Sequence, residues 1–239
     1  MTPTAERLHF PWLALVAMLA VQVLASMVMS TAAVLSPVVA PSLSLPPERV
    51  GIFVAVAYLA AMTAGLPTGQ WVARWGGVRV SQGSLLALGV GALLATVGEA
   101  WALLPAALCI GFGYGLANPS AAAVLARHVP AQSSGLFFSM KQAGVPLGVA
   151  VAGLCMPLGL GLLGWQVSVR VAALVCVGVS FWLWTTLSRL QPPGEQQPAP
   201  SGMRWWAPLQ DLKHDRAMRR LGLVSLVYAM SQQGFLTFL

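Results

Sequence analysis

Polar side chains inside long apolar runs are the residues of this chain that could bind a solute. The stretch Lys141-Gln142-Ala-Gly-Val-Pro146 sets a cation and an amide beside a carbonyl that Pro146 leaves without its helical donor. Asn118 lies in the preceding apolar run, nearly as far from Pro130 as Lys141 is, so a short connection would bring the two to similar depth. A cation with amide neighbours and no buried acid suits an anion. We therefore predict that Lys141 supplies positive charge to a small organic anion and that Asn118 and Gln142 orient it.

A second interpretation of Lys141 is that it anchors its helix at the membrane surface. It lies about seven residues beyond Ser134, which is roughly 10 Å inside the start of its apolar run at 1.5 Å per residue. A lysine stem can carry its ammonium group back to the headgroups over such a distance. The sequence leaves solute binding and anchoring open.

The elements that must position these residues are membrane helices. Hydrophobic residues make up 57% of the chain and charged residues 8%, and the mean hydropathy is +0.76. A soluble domain cannot bury that much apolar surface, so the composition indicates a polytopic membrane protein. The net charge of +7 could suggest nucleic acid, but the cations cluster between apolar runs and are better explained by membrane topology.

Six apolar runs are long enough to cross a bilayer, which takes about 20 helical residues. They extend from Phe10 to about Pro37 and over 49–72, 80–98, 101–126, 135–160 and 168–188. We assign residues 1–188 to a six-helix transmembrane bundle. The proline-rich stretch that follows predicts a linker over 189–220, which ends in an amphipathic helix on the membrane surface. A seventh apolar run begins at Leu221 and reaches Leu239.

Loop charges predict the orientation of these spans. Most cations fall on one side of the membrane, and only Arg49 and Arg170 lie near the other. By the positive-inside rule the N-terminus and the even-numbered loops are cytoplasmic. The three cysteines and three histidines have no metal-ligand spacing, and no nucleophile has a neighbouring base. The sequence therefore predicts no metal, no cofactor and no catalytic residue.

A glycine-rich motif with two arginines connects the second and third spans. It reads Gly69-Gln-Trp-Val-Ala73-Arg74-Trp-Gly76-Gly-Val-Arg79. Its glycine pair predicts a tight reversal, and its arginines predict an aqueous location. With Gly65 four residues earlier, Gly69 also predicts a flat face for close helix packing. The motif resembles the loop between the second and third helices of the major facilitator superfamily, roughly Gly-x-x-x-Asp-Arg-x-Gly-x-Arg-Arg, but Ala73 replaces the acid.

The resemblance covers nearly the whole chain and implies an all-α integral membrane fold of the facilitator type. It implies two six-helix halves with a solute bound between them, and a gating role for Gly69, Arg74, Gly76 and Arg79. The chain would supply the N-terminal half and the start of the seventh helix. We expect a truncated or fragmentary transporter in the bacterial inner membrane. The alternative is a non-transporting fragment or scaffold that needs a partner chain. The expected partners are the lipid bilayer, a small-molecule substrate and a second half, with no nucleic acid.

A polar stripe on the first span has two interpretations. Gln22, Ser26 and Ser30 are spaced i, i+4 and i+8, so they share one face of a helix. Because the first and fourth helices line the solute cavity in the resembled family, Gln22 and Ser26 are candidate substrate-binding residues. Alternatively, the stripe makes interhelical hydrogen bonds of about 0.6 kcal/mol each. Two small-residue faces predict close helix packing: Ala107, Gly111 and Gly115 on one span, and Gly144, Gly148 and Ala152 on another.

Overall fold

The computed structural model describes residues 11–46, 48–190 and 216–238, and all regular structure in these ranges is helical. The chain divides into two units, residues 1–199 and 200–239. Six segments of the first unit are long and apolar enough to cross a membrane, in agreement with the six predicted spans.

The helices of the first unit follow the predicted spans with longer ends. They are α1 (Pro11–Ser42), α2 (Glu48–Trp75), α3 (Gly77–Ala95), α4 (Leu103–His128), α5 (Ser134–Gln142), α6 (Gly144–Leu163) and α7 (Trp165–Leu190). Short 3-10 turns at Ala100–Ala102 and Ala131–Ser133 lead into α4 and α5. The first helix continues past Pro37, the predicted end of its span, and includes Pro41 as well.

The fifth span, predicted as one helix over 135–160, is two helices with a break at Ala143. α5 ends at Gln142 and α6 begins at Gly144. Pro146 is the physical reason: it has no N–H for the carbonyl of Gln142, and its ring crowds that carbonyl. The break lies directly after Lys141 and therefore helps to set the direction of the lysine side chain.

The reversal between α2 and α3 occurs at Gly76, as predicted. Gly76 has φ 85° and ψ 155°, a conformation that favours glycine. Gly77 follows in close contact with α4, since a Cβ placed on it would lie 2.6 Å from Val124 Cγ2. On the predicted flat face of α2, the Cβ position of Gly65 lies 3.9 Å from the carbonyl oxygen of Gly115, whereas Gly69 is exposed and has no described atom within 4 Å of its Cβ position. The packing role of Gly69 stays a prediction.

In the core, neighbouring helices come into backbone contact at small residues. A Cβ on Gly111 would collide with the carbonyl oxygen of Ala57, so α4 and α2 are in backbone contact there. On α6, a Cβ on Gly148 would collide with the carbonyl oxygen of Val23 in α1. The two predicted small-residue faces are therefore confirmed as helix-packing surfaces, which associate without a hydrophobic driving force in lipid.

The second unit contains helix α8 (Arg216–Phe238). It runs without a break through Leu221, where the seventh span was predicted to begin. Its arginines and its glutamine pair make it less apolar than the six spans of the first unit, so the seventh span stays a prediction. Residues 191–215, which include most of the predicted linker and surface helix, lie outside the described residues.

Candidate functional site

Lys141 points into the bundle from the last turn of α5. Its side chain is only 2% exposed, and its ammonium group donates a hydrogen bond to Oδ1 of Asn118 on α4. A lysine that anchored its helix would extend along the helix toward the headgroups. In this structure the side chain contacts Asn118 instead, and the expected proximity of Lys141 and Asn118 is observed.

The positive charge of Lys141 has no acidic partner within the described helices. The sequence contains no Asp or Glu between Glu99 and Glu195, and the only acid inside a described helix of the first unit is Glu48, the first residue of α2. A buried cation without a counter-ion is costly. Ionisable residues inside membrane spans therefore usually mark a solute or ion pathway.

Gln22 and Ser26 lie buried on α1 beneath α6. They are 2% and 3% exposed, and they face the glycines of α6: a Cβ on Gly144 would lie 3.0 Å from Cβ of Gln22, and one on Gly148 would lie 2.7 Å from Cβ of Ser26. Gln22 Oε1 and Ser26 Oγ form no hydrogen bond with any described residue. The interhelical hydrogen bonds considered for them are thus not observed. Two buried polar atoms of α1 therefore lack the hydrogen-bond partner that buried polar atoms usually have.

Tyr114 adds a polar side chain next to Ser26, and the sequence alone did not identify it as a candidate. Its hydroxyl lies close to the Ser26 hydroxyl, although not in hydrogen-bond geometry. Its ring meets that of Tyr58 on α2 edge to face, with centroids 6.3 Å apart. The signal was available, because Tyr114 precedes Asn118 by four residues and so shares its helix face. Together α1, α4 and α5 bring Ser26, Tyr114, Asn118 and Lys141 into one region.

Gln142 does not join the contact between Lys141 and Asn118. Its side chain is exposed at the end of α5, next to the break at Ala143. Asn118 is also exposed, while the other predicted binding residues are buried. Asn118 is thus the exposed member of the contact with Lys141, whereas Lys141, Gln22 and Ser26 are each buried.

The arginines of the glycine motif are exposed on either side of the Gly76 turn. The guanidinium carbon of Arg74 lies 5.8 Å from the ring centroid of Trp75, and that ring stacks on Trp71 at 6.2 Å. Arg74 therefore has an aromatic neighbour, Trp75. The resembled family has an acid next to this arginine, at the position that Ala73 occupies. Cation–aromatic contacts at exposed sites contribute about 0.5–1 kcal/mol.

No group of three or more His, Cys, Asp or Glu that could hold a metal occurs among the residues the structure describes. No curated protein matches the chain. The family model described as Major Facilitator Superfamily matches residues 18–239, which is most of the sequence. With six membrane-spanning segments and the Gly76 turn between exposed arginines, the chain is a multi-pass membrane protein and belongs to the Major Facilitator Superfamily, whose members are solute transporters rather than enzymes.

Proposed function

We propose that the solute is a small organic anion and that the ammonium group of Lys141 supplies the charge that attracts it. The observation that carries the proposal is a buried lysine whose partner is a neutral amide, in helices that offer it no acid. A charged donor close to a low-dielectric interior binds an anion much more strongly than it would in water. Lys141 thus attracts an anion electrostatically, and the described helices offer it no acid as a counter-ion.

Asn118 has two roles in this proposal. Its carboxamide oxygen accepts from Lys141 and holds the ammonium group in place while no anion is bound. As a neutral acceptor it offers the ammonium group no opposite charge, whereas a carboxylate adds the attraction between opposite charges and can displace it. The exposed position of Asn118 gives the anion a route to the lysine.

Gln22 and Ser26 supply the remaining polar contacts. Gln22 Oε1 needs a donor, and the Ser26 hydroxyl can donate or accept. An anion that also carries a hydroxyl group would satisfy both the lysine and the glutamine.

The unit of six spans forms one wall of the pathway and requires a second half, from the same polypeptide or a partner chain, to complete it. α2 and the α5–α6 pair are largely exposed, whereas α1 is largely buried, and these open faces are where a second half would pack. Without that half, the chain is a non-transporting fragment. The loop charges support a cytoplasmic N-terminus. The inner membrane of a bacterium is proposed on the family resemblance alone.

Substitution of Lys141 tests the proposal in the complete transporter, reconstituted with its second half into liposomes. The parent is first assayed for uptake against a panel of mono- and dicarboxylates of three to six carbons. Lys141→Gln removes the charge, and we expect uptake of the preferred anion to fall at least about tenfold. Lys141→Arg keeps the charge and should retain more uptake. Equal uptake by Lys141→Gln and the parent, with normal monodispersity, would show that the lysine does not bind the solute.

A further inference from the structure

Two tyrosines lie near the middle of their membrane spans, beside the proposed anion site. Tyr58 lies about 15 Å along α2 from Glu48, and Tyr114 lies about 17 Å along α4 from Leu103, at 1.5 Å per residue. Half the thickness of the hydrocarbon core is about 15 Å. Tyrosines in membrane helices are enriched at the two surfaces, where they anchor the helix in the headgroups. Anchoring therefore does not explain the position of this pair.

Close contact between α2 and α4 brings the two rings together. A Cβ on Gly115, the neighbour of Tyr114, would collide with the carbonyl oxygen of Ala61. At this contact the rings of Tyr58 and Tyr114 meet edge to face, with centroids 6.3 Å apart and an interplanar angle of 86°. The side chain of Tyr58 is 37% exposed, and that of Tyr114 is half-buried. The pair therefore presents aromatic surface that a ligand can reach.

Asn118 lies on the same face of α4 as Tyr114. It follows Tyr114 by four residues, which is about 6 Å along the helix, and its side chain is exposed. Its carboxamide oxygen accepts the hydrogen bond from Lys141. Hydrocarbon offers no partner to the N–H groups of an exposed carboxamide, so this surface suits a polar solute better than lipid.

The aromatic ring on the other side of Lys141 is already packed. Phe137 precedes Lys141 by four residues on α5, but it is only 6% exposed, and its ring centroid lies 5.0 Å from that of Trp12. A solute bound at Lys141 therefore has more access to the tyrosine pair than to Phe137.

We propose that the solute is an aromatic carboxylate, whose carboxylate group binds Lys141 and whose ring packs on Tyr58 and Tyr114. The proposal rests on the anion site at Lys141 and adds the chemical class of the anion. Aromatic rings attract one another beyond the area that they bury, because the positive edge of one ring meets the negative face of the other. A saturated ring of similar size buries a similar area but lacks this attraction.

The preference for an aromatic ring is tested by saturation-transfer difference NMR on the full chain in lipid nanodiscs. Benzoate is titrated against cyclohexanecarboxylate, which has the same charge and the same number of carbon atoms but a saturated ring. Lys141→Gln in the same nanodiscs measures how much of each acid enters the bilayer, and this background is subtracted. We expect benzoate to bind about fivefold more tightly, which corresponds to about 1 kcal/mol.

Two results would contradict different parts of the proposal. Equal affinities of the parent for the two acids would overturn the aromatic assignment and leave the anion site at Lys141 intact. Signals from both acids that are the same in the parent and in Lys141→Gln would overturn the anion site, and the aromatic assignment with it.

Variants of the α2–α4 contact test which ring makes the difference. Tyr58→Leu removes the more exposed ring and should make the two affinities nearly equal, whereas Tyr58→Phe keeps a ring and should retain the preference. Phe112→Leu is the matched control: Phe112 also meets an α2 ring, that of Trp71 at 5.7 Å, but it lies two residues from Tyr114 and so on another face of α4. It should retain the preference. The ratio of the two affinities is compared within each variant, so a partly unfolded sample does not change it. A preference that survives Tyr58→Leu, or that Phe112→Leu abolishes equally, would overturn the proposal.

Discussion

At the scale of single residues, the site depends on the contact between Lys141 and Asn118. The partner of the ammonium group is an amide rather than a carboxylate, so the contact brings no opposite charge to the lysine. A hydrogen bond to a charged group contributes about 1.5–3 kcal/mol, which is enough to hold the lysine side chain in place. The amide is uncharged and therefore adds no counter-ion. The proposed affinity for an anion therefore depends on residue 118 being neutral.

This dependence predicts the effect of an acid at position 118. Asn118→Asp would give Lys141 an internal counter-ion at the same position, so a substrate anion would have to break an ion pair in order to bind. We expect anion affinity to fall at least about tenfold, which corresponds to about 1.4 kcal/mol. Asn118→Ala is the control, since it removes the amide without adding charge and should bind the anion at least as tightly as Asn118→Asp does. Binding is measured by equilibrium dialysis of the preferred labelled anion, and parental affinity in Asn118→Asp would contradict the prediction.

At the scale of helices, packing depends on glycines that let two backbones touch. α6 lies against α1 at Gly148, where a Cβ would come within 2.7 Å of Cβ of Ser26 and would also collide with the Val23 carbonyl oxygen. Backbone atoms cannot move aside as a flexible side chain can. A single added methyl group must therefore separate the helices and shift the polar atoms of α1 that the site uses.

Two glycines on α6 allow a matched test of this packing. Gly148→Ala should lower the free energy of unfolding by about 1–3 kcal/mol, the usual cost of overpacking. Gly153→Ala should be neutral or stabilising by up to about 1 kcal/mol, because no atom lies within 4 Å of its Cβ position and alanine has the higher helix propensity. Thermal unfolding in detergent compares the two variants with the parent. An unchanged Tm in Gly148→Ala would mean that α1 and α6 separate without cost.

The sequence predicts local features of these elements well and their mutual contacts poorly. The six spans and the Gly76 reversal follow from apolar run length and from a glycine pair, signals contained in a few adjacent residues. The direction of Lys141 does not, because the choice between the membrane surface and the interior depends on the neighbouring α4 and on the break at Ala143. The same limit applies to Gly69, because spacing identifies a flat face but not the helix that would pack against it.

At the scale of the whole molecule, the exposed arginines of the first unit are sorted by end. Arg74, Arg79 and Arg127 lie at the end with the Gly76 turn, and Arg49 and Arg170 lie at the other. The excess at the turn end favours a cytoplasmic location for it.

Single cysteines at the two ends test this orientation. Gly76 itself is a poor position, since it is buried at φ 85° and any side chain there is strained. Its neighbour Trp75 and the opposite-end residue Ser44 are both exposed and uncharged, so Trp75→Cys and Ser44→Cys leave the charge pattern intact. In a background with Cys109, Cys155 and Cys176 replaced by alanine, an impermeant maleimide added to intact spheroplasts should label Ser44→Cys only. Trp75→Cys should react only after permeabilisation. Labelling of Trp75→Cys alone in intact spheroplasts would show the opposite orientation.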